Sequence, residues 1–174
     1  MKLVYDYKNF IKIFKFDKKN KFVNIKNFHY IHLNDAVMIL CENNNKILFI
    51  KEFRVGLNKM SWGLPGGYIE KKEKPKKAAI RELFEETGIH TNNIKFFKKY
   101  VRNGNYHCGT DYVYFAKVKK NKIKLEKNVK HKWLNKIEVL DFLKKNKFET
   151  PGVIATIFYF IIRYSKSYNY KIFT

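Results

Sequence analysis

Glu82, Glu85 and Glu86 stand at i, i+3 and i+4 in the stretch RELFEET, a spacing that sets three carboxylates on one side of a helix. By the same periodicity Ala78 joins that face, while Ile80, Leu83, Phe84 and Thr87 form an adjoining apolar arc expected to pack. Carboxylates this close repel one another by about 1 kcal/mol per pair in water, and by more where water is excluded. A fold tolerates them when something cationic neutralises the group. Oxygen donors without His or Cys suit a hard divalent ion such as Mg²⁺, which accepts one or two carboxylates and bridges to phosphate oxygens. An ion held this way can lower the pKa of a bound water and neutralise charge on phosphate oxygens.

The helix belongs to a longer spaced pattern. Gly67 is followed after five residues by Glu73, after seven more by Arg81-Glu82, then by Leu83, Glu85-Glu86, Gly88 and Ile89. On these residues the chain resembles the Nudix hydrolase family, whose pattern is filled at every specified position. The resemblance implies an α/β fold, an α/β/α sandwich with a mixed central sheet, in which the pattern forms a loop, a helix and a loop. It implies Glu82, Glu85 and Glu86 as metal ligands helped by the Gly67 carbonyl, with Mg²⁺ as the ion and Mn²⁺ as the alternative. Arg81 and Glu73 would support the site as an ion pair, a bidentate geometry that lysine does not reproduce.

Further resemblances concern the substrate. Phe53-Arg54 and Trp62 are similar to an aromatic-Arg pair and a pre-motif tryptophan of the ADP-ribose and sugar-nucleotide pyrophosphatase branch, so Arg54 and Trp62 are candidate substrate-binding residues. A surface arginine at a strand end is the plainer reading of Arg54. Tyr106, 17 residues beyond Ile89, matches a tyrosine of the dinucleoside polyphosphate hydrolases. The proline that the ADP-ribose branch carries near that point is missing, since the prolines are Pro65, Pro75 and Pro151. Asp111 matches a catalytic acid of the ADP-ribose branch, although an aspartate satisfying a turn reads equally well. Glu126 is a candidate late metal ligand, while Lys130, His131 and Lys132 stand where the family often has acids. The general base is then one of the helix glutamates or Asp111.

The expected activity is metal-dependent hydrolysis of a phosphoanhydride in a nucleoside diphosphate derivative of the ADP-ribose or nucleotide-sugar type. The alternatives are hydrolysis of dinucleoside polyphosphates or RNA caps, and a non-catalytic nucleotide-binding module, which usually loses acids that are all present here.

Elements must position these groups. A chain of 174 residues with 45% hydrophobic and 17% aromatic residues supports one substantial core and excludes disorder. Residues 2–33 read as an antiparallel meander with one oily face, which in the ADP-ribose branch helps to form a homodimer; 34–174 read as the hydrolase domain. Residues 35–41 and 46–53 form a hairpin leading to the motif, and 94–101 and 110–118 are strands flanking a polar loop. Helices are expected from Pro75, over 135–145 and over 150–166.

The formal net charge is +22, almost all of it lysine. It is spread along a chain also rich in Asn, Ile, Phe and Tyr, so compositional drift is its main reading and a nucleic-acid surface the second. Cys41 and Cys108 have no partner at metal or redox spacing and read as free thiols. The N-terminal stretch lacks a signal-peptide core, and the longest apolar run, 153–162, is too short to span a bilayer; the expectation is a cytoplasmic protein with no membrane partner.

Overall fold

A computed structural model describes residues 1–8, 11–19, 21, 24–102, 104, 107–119, 123 and 129–164. Strands β1 (Lys2–Tyr7), β2 (Ile11–Lys19) and β3 (Asn24–Leu33) come first, then β4 (Ala36–Asn43), β5 (Lys46–Arg54) and β6 (Lys59–Gly63). Helix α1 (Pro75–Thr87) follows, then β7 (Ile94–Val101), β8 (His107–Cys108), β9 (Thr110–Lys117), β10 (Lys130–Leu134), α2 (Lys136–Lys144) and α3 (Pro151–Tyr164).

The central sheet runs β10-β5-β4-β9-β7, with β6 pairing β5. It is mixed, because β4 and β9 are parallel while the other pairs are antiparallel. Strand alternation sends Val37, Ile39, Cys41 and Leu48 to one face, where Ala78, Ala79 and Leu83 of α1 cover them. Leu40, Ile47, Phe49 and Val113 point to the other face, under Val139 of α2 and Val153 and Ile157 of α3. The three layers of the expected α/β/α sandwich are therefore present.

Strands β4 and β5 pair only at their turn, Glu42 with Ile47 and Asn43 with Lys46. Beyond that point the free edge of β4 is taken by the glycine-rich segment after β6: Ile39 donates to the Pro65 carbonyl and Val37 to the Gly67 carbonyl, both at 2.8 Å, and Ile69 donates to the Asp35 carbonyl. Gly66 makes this seam possible. Its φ is +155°, and a Cβ there would lie 2.1 Å from the Val37 carbonyl oxygen.

Pro75 opens α1, and Gly88 closes it in the left-handed conformation, its N–H donating to Phe84 O at 2.7 Å. Two helix-face expectations are corrected. Ala78 is fully buried among core residues, and Phe84, expected to pack, is 52% exposed with its ring edge-on to His90. The sheet surface covered by α1 is centred on Ala79 and Leu83, which rotates Phe84 out. Asn135 caps α2 with a reciprocal box through Glu138, so the helix starts one residue later than periodicity suggested. Residues 165–166, expected in α3, lie outside the described residues.

The N-terminal strands form their own sheet in the order β1-β2-β3-β8. The expected antiparallel meander is there, but the stretch read as a polar loop before β9 supplies a fourth strand, parallel to β3 through Ile31 with His107 and His32 with Cys108. Two residues are too few to show a period-2 pattern. Among the described residues no helix is long and apolar enough to cross a membrane.

Candidate active site

Helix α1 leans against the Gly66-Gly67 seam, and the carboxylates of Glu82 and Glu86 sit in that junction while Glu85 stays exposed. Glu86 Oε2 accepts the Gly66 N–H at 2.8 Å. Gly67 leaves room for Glu82: a Cβ on it would come within 2.6 Å of that carboxylate. The Gly67 carbonyl itself is engaged by Val37, which leaves its second lone pair for any ligand role.

Arg81 organises the outer half of the cluster. Its Nε and Nη2 grip the two oxygens of Glu73 at 3.0 and 2.9 Å, Nη1 reaches Glu82 Oε1 at 2.7 Å and Glu85 Oε2 at 3.0 Å, and Nη2 also reaches the Tyr68 carbonyl. The built-in counter-ion of three acids is thus an arginine. It holds Glu73 below the usual carboxylate range, chiefly through those hydrogen bonds. Glu82 is pushed up by burial despite the arginine.

Among the described residues Glu86 has no such partner. Burial pushes it up to about 8; the Gly66 N–H pulls the other way, Glu52 and Glu82 push further, and Arg54 opposes them. A buried carboxyl without a counter-ion of its own, beside a second carboxylate and a loop carbonyl, is an all-oxygen donor set that suits a hard divalent cation. The residues therefore fit such an ion, with Glu82 and Glu86 as the inner carboxylates. Among the described residues no three acidic, His or Cys side chains converge as a ready coordination sphere, because Arg81 stands between Glu82 and Glu85.

The other expected site residues divide. Arg54 comes to the cluster: its Nη2 lies 2.5 Å from Glu52 Oε1, and it acts electrostatically on Glu86. Trp62 is not brought to the glutamates. It pairs with Lys51 on β5 and packs against Phe142 of α2, on the sheet face opposite α1, with the ammonium groups of Lys51 and Lys132 each 5.9 Å from its ring. Asp111 also points to the α2/α3 face. Its Oδ1 lies 2.9 Å from Arg102 Nε, in a charge contact and not an aligned hydrogen bond. Burial pushes the Asp111 carboxyl up, against the pull of Arg102. Arg102 also donates to the Asn34 carbonyl and stands 5.7 Å over the Tyr68 ring, so Tyr68 touches both arginine clusters, by its carbonyl and by its ring. Tyr106 and Glu126 lie outside the described residues.

Sequence reasoning missed Glu52 and Arg102. Glu52 carried a usable signal, since in KILFIKEF it shares the strand face of Leu48 and Ile50, the face that α1 covers. Arg102 carried none, because its partners are 9 and 68 residues away.

The NUDIX domain family model matches residues 32–155, which include this whole arrangement. The chain belongs to the Nudix family. An ADP compounds hydrolase of known structure superposes with a TM-score of 0.73, covering 97% of each chain at 19% identity, which establishes the shared fold. In sequence, the Nudix chain is 30% identical over 86 residues to a methanol dehydrogenase activator of Bacillus methanolicus, covering 49% of this chain and 46% of that one. It is 37% identical over 73 residues to an m7GpppN-mRNA hydrolase of Caenorhabditis elegans, covering 40% and 9%. An RNA pyrophosphohydrolase of Psychromonas ingrahamii is 38% identical over 58 residues, covering 33% and 30%. The chain therefore spans less than half the length of these curated relatives.

Proposed function

We propose that this Nudix protein hydrolyses a phosphoanhydride bond in a nucleoside diphosphate linked to a second group, of the ADP-ribose or nucleotide-sugar type. The observation that carries the reading is the convergence of Glu82 and Glu86 on the Gly66-Gly67 seam, with Arg54 at its margin. Glu82 and Glu86 would hold the cation, Mg²⁺ or in its place Mn²⁺, with Glu85 and the Gly67 carbonyl beside them. Such an ion lowers the pKa of a bound water and neutralises charge on the phosphoryl oxygens. Arg81 keeps Glu82 and Glu85 oriented while remaining ion-paired to Glu73, and Arg54 offers a cation to a substrate phosphate. Proton acceptance falls to a helix glutamate: Glu85 is the most exposed of the three, whereas Asp111 is committed to Arg102 on the far face.

A second reading is hydrolysis at the 5′ end of RNA. It is favoured by the RNA pyrophosphohydrolase and mRNA hydrolase relatives and by the charge of +22. A non-catalytic module is disfavoured because every motif acid is retained. The test is one screen with Mg²⁺ of ADP-ribose, nucleotide sugars, dinucleoside polyphosphates, and 5′-triphosphorylated and capped RNA, run beside Glu86→Gln. Release of phosphate monoesters from the first two classes, abolished in the variant, is expected; turnover of RNA alone would transfer the assignment to the second reading.

Exposed Leu3, Val4, Tyr5 and Tyr7 on β1 support a homodimer through the N-terminal sheet, and a single-chain mass by light scattering would remove it. The free thiols Cys41 and Cys108 fit a reducing compartment such as the cytoplasm.

A further inference from the structure

Arg54 reaches the carboxylate cluster from the end of β5, where a side chain so long has many rotamers open to it. Three features narrow them. The Nη2 atom lies 2.5 Å from Glu52 Oε1. It is also backed by β6, since a Cβ on Gly63 would meet it at 3.2 Å. Glu52 Oε1 is shielded from solvent and accepts no aligned hydrogen bond, so the charge of Arg54 is what compensates it. The Glu52 side chain is 23% exposed and that of Arg54 38%, which leaves the arginine partly open to solvent.

Glu52 is two residues before Arg54, hence on the same strand face, and that face looks towards α1. Glu52 and Arg54 are both close enough to act on Glu86, with opposite signs. A carboxylate next to an already crowded acid cluster adds repulsion unless a cation offsets it, and Arg54 is that cation. Holding the arginine is a task the geometry fits.

We propose that Glu52 is a positioning residue of this site: it fixes the Arg54 guanidinium against Gly63 at the margin of the Glu82–Glu86 cluster, where it meets a phosphate of the substrate. The inference rests on the nucleoside diphosphate reading above, and the two fail separately. If no compound in the screen is turned over, the functional reading fails. The role of Glu52 is judged by binding.

ADP, the nucleoside diphosphate part of such a substrate, is titrated calorimetrically in EDTA against the wild-type chain, Glu52→Gln, Arg54→Ala and the double variant. Glu52→Gln is expected to weaken ADP about tenfold, the loss of one charge-assisted contact. The double variant should bind as Arg54→Ala does, within about twofold, because Glu52 acts only through the arginine. Glu52→Asp, which keeps the charge on a shorter arm, should recover part of the loss. On the substrate that the screen identifies, Glu52→Gln should raise KM with kcat changed less than about twofold. Equal ADP affinity for wild type and Glu52→Gln overturns the proposal, as does a further drop on adding Glu52→Gln to Arg54→Ala. A fall in kcat with unchanged KM would make Glu52 a metal ligand and equally refute it. Thermal unfolding of each variant identifies any that fails to fold, and Glu52→Asp then carries the comparison.

Discussion

Glu86 offers the sharpest test, because its burial has a thermodynamic signature that needs no substrate. The carboxyl titrates near 4.5 in an unfolded chain and is raised to about 8 in the folded one, mainly by burial. Between those values the folded state holds a proton that the unfolded state has lost. Its contribution to stability is therefore full below about pH 4.5 and is lost as pH rises through 8. The separation, 8 − 4.5 = 3.5 pH units at about 1.36 kcal/mol each, sets a ceiling near 5 kcal/mol. With water admitted as the carboxylate forms, about 2 to 4 kcal/mol is expected in experiment. Glu86→Gln removes the titration but keeps an oxygen for the Gly66 N–H that Glu86 Oε2 accepts at 2.8 Å. Urea unfolding in EDTA at pH 5 and pH 8.5 should show the wild type losing stability relative to the variant by that amount. Millimolar Mg²⁺ at pH 8.5 should restore the wild type and leave the variant unmoved. Parallel stability profiles for the two proteins would refute the claim that Glu86 is a buried acid awaiting a cation.

Three further outcomes follow from the same contacts. Arg81→Lys cannot grip both oxygens of Glu73 while reaching Glu82 and Glu85, and should cost about 2 to 3 kcal/mol in urea unfolding together with most of the activity. In Gly67→Ala the new methyl meets the end of the Glu82 side chain first, so the melting temperature should move little while kcat falls by at least about 100-fold; unchanged kcat would show that the position of Glu82 is immaterial. Arg102→Ala strands Asp111, whose side chain is 13% exposed, and should destabilise by about 2 to 3 kcal/mol; if turnover survives in the folded variant, the pair is structural and Asp111 is not the base.

The motif was legible because it is local. Glu82, Glu85 and Glu86 are neighbours on any helix, and Pro75 and Gly88 mark the ends of this one whatever surrounds it. The strands of the central sheet were legible for the same reason, since the apolar runs 36–41 and 112–116, bounded by polar residues, are written residue by residue. Periodicity did not give the rotation of α1, which put Ala78 inside and Phe84 outside. That depends on which two helix positions the sheet surface accepts.

By itself the sequence determined that three acids share a helix and that a hard cation is their natural partner. Only the tertiary structure decided which charges meet them. Sheet pairing turned Glu52 and Arg54 towards Glu86 and sent Trp62 and Asp111 to the opposite face, and the seam along β4 set Gly66 and Gly67 against the carboxylates. Face and register fix these relations between residues far apart in the chain, because shifting a strand by one residue inverts every side chain on it.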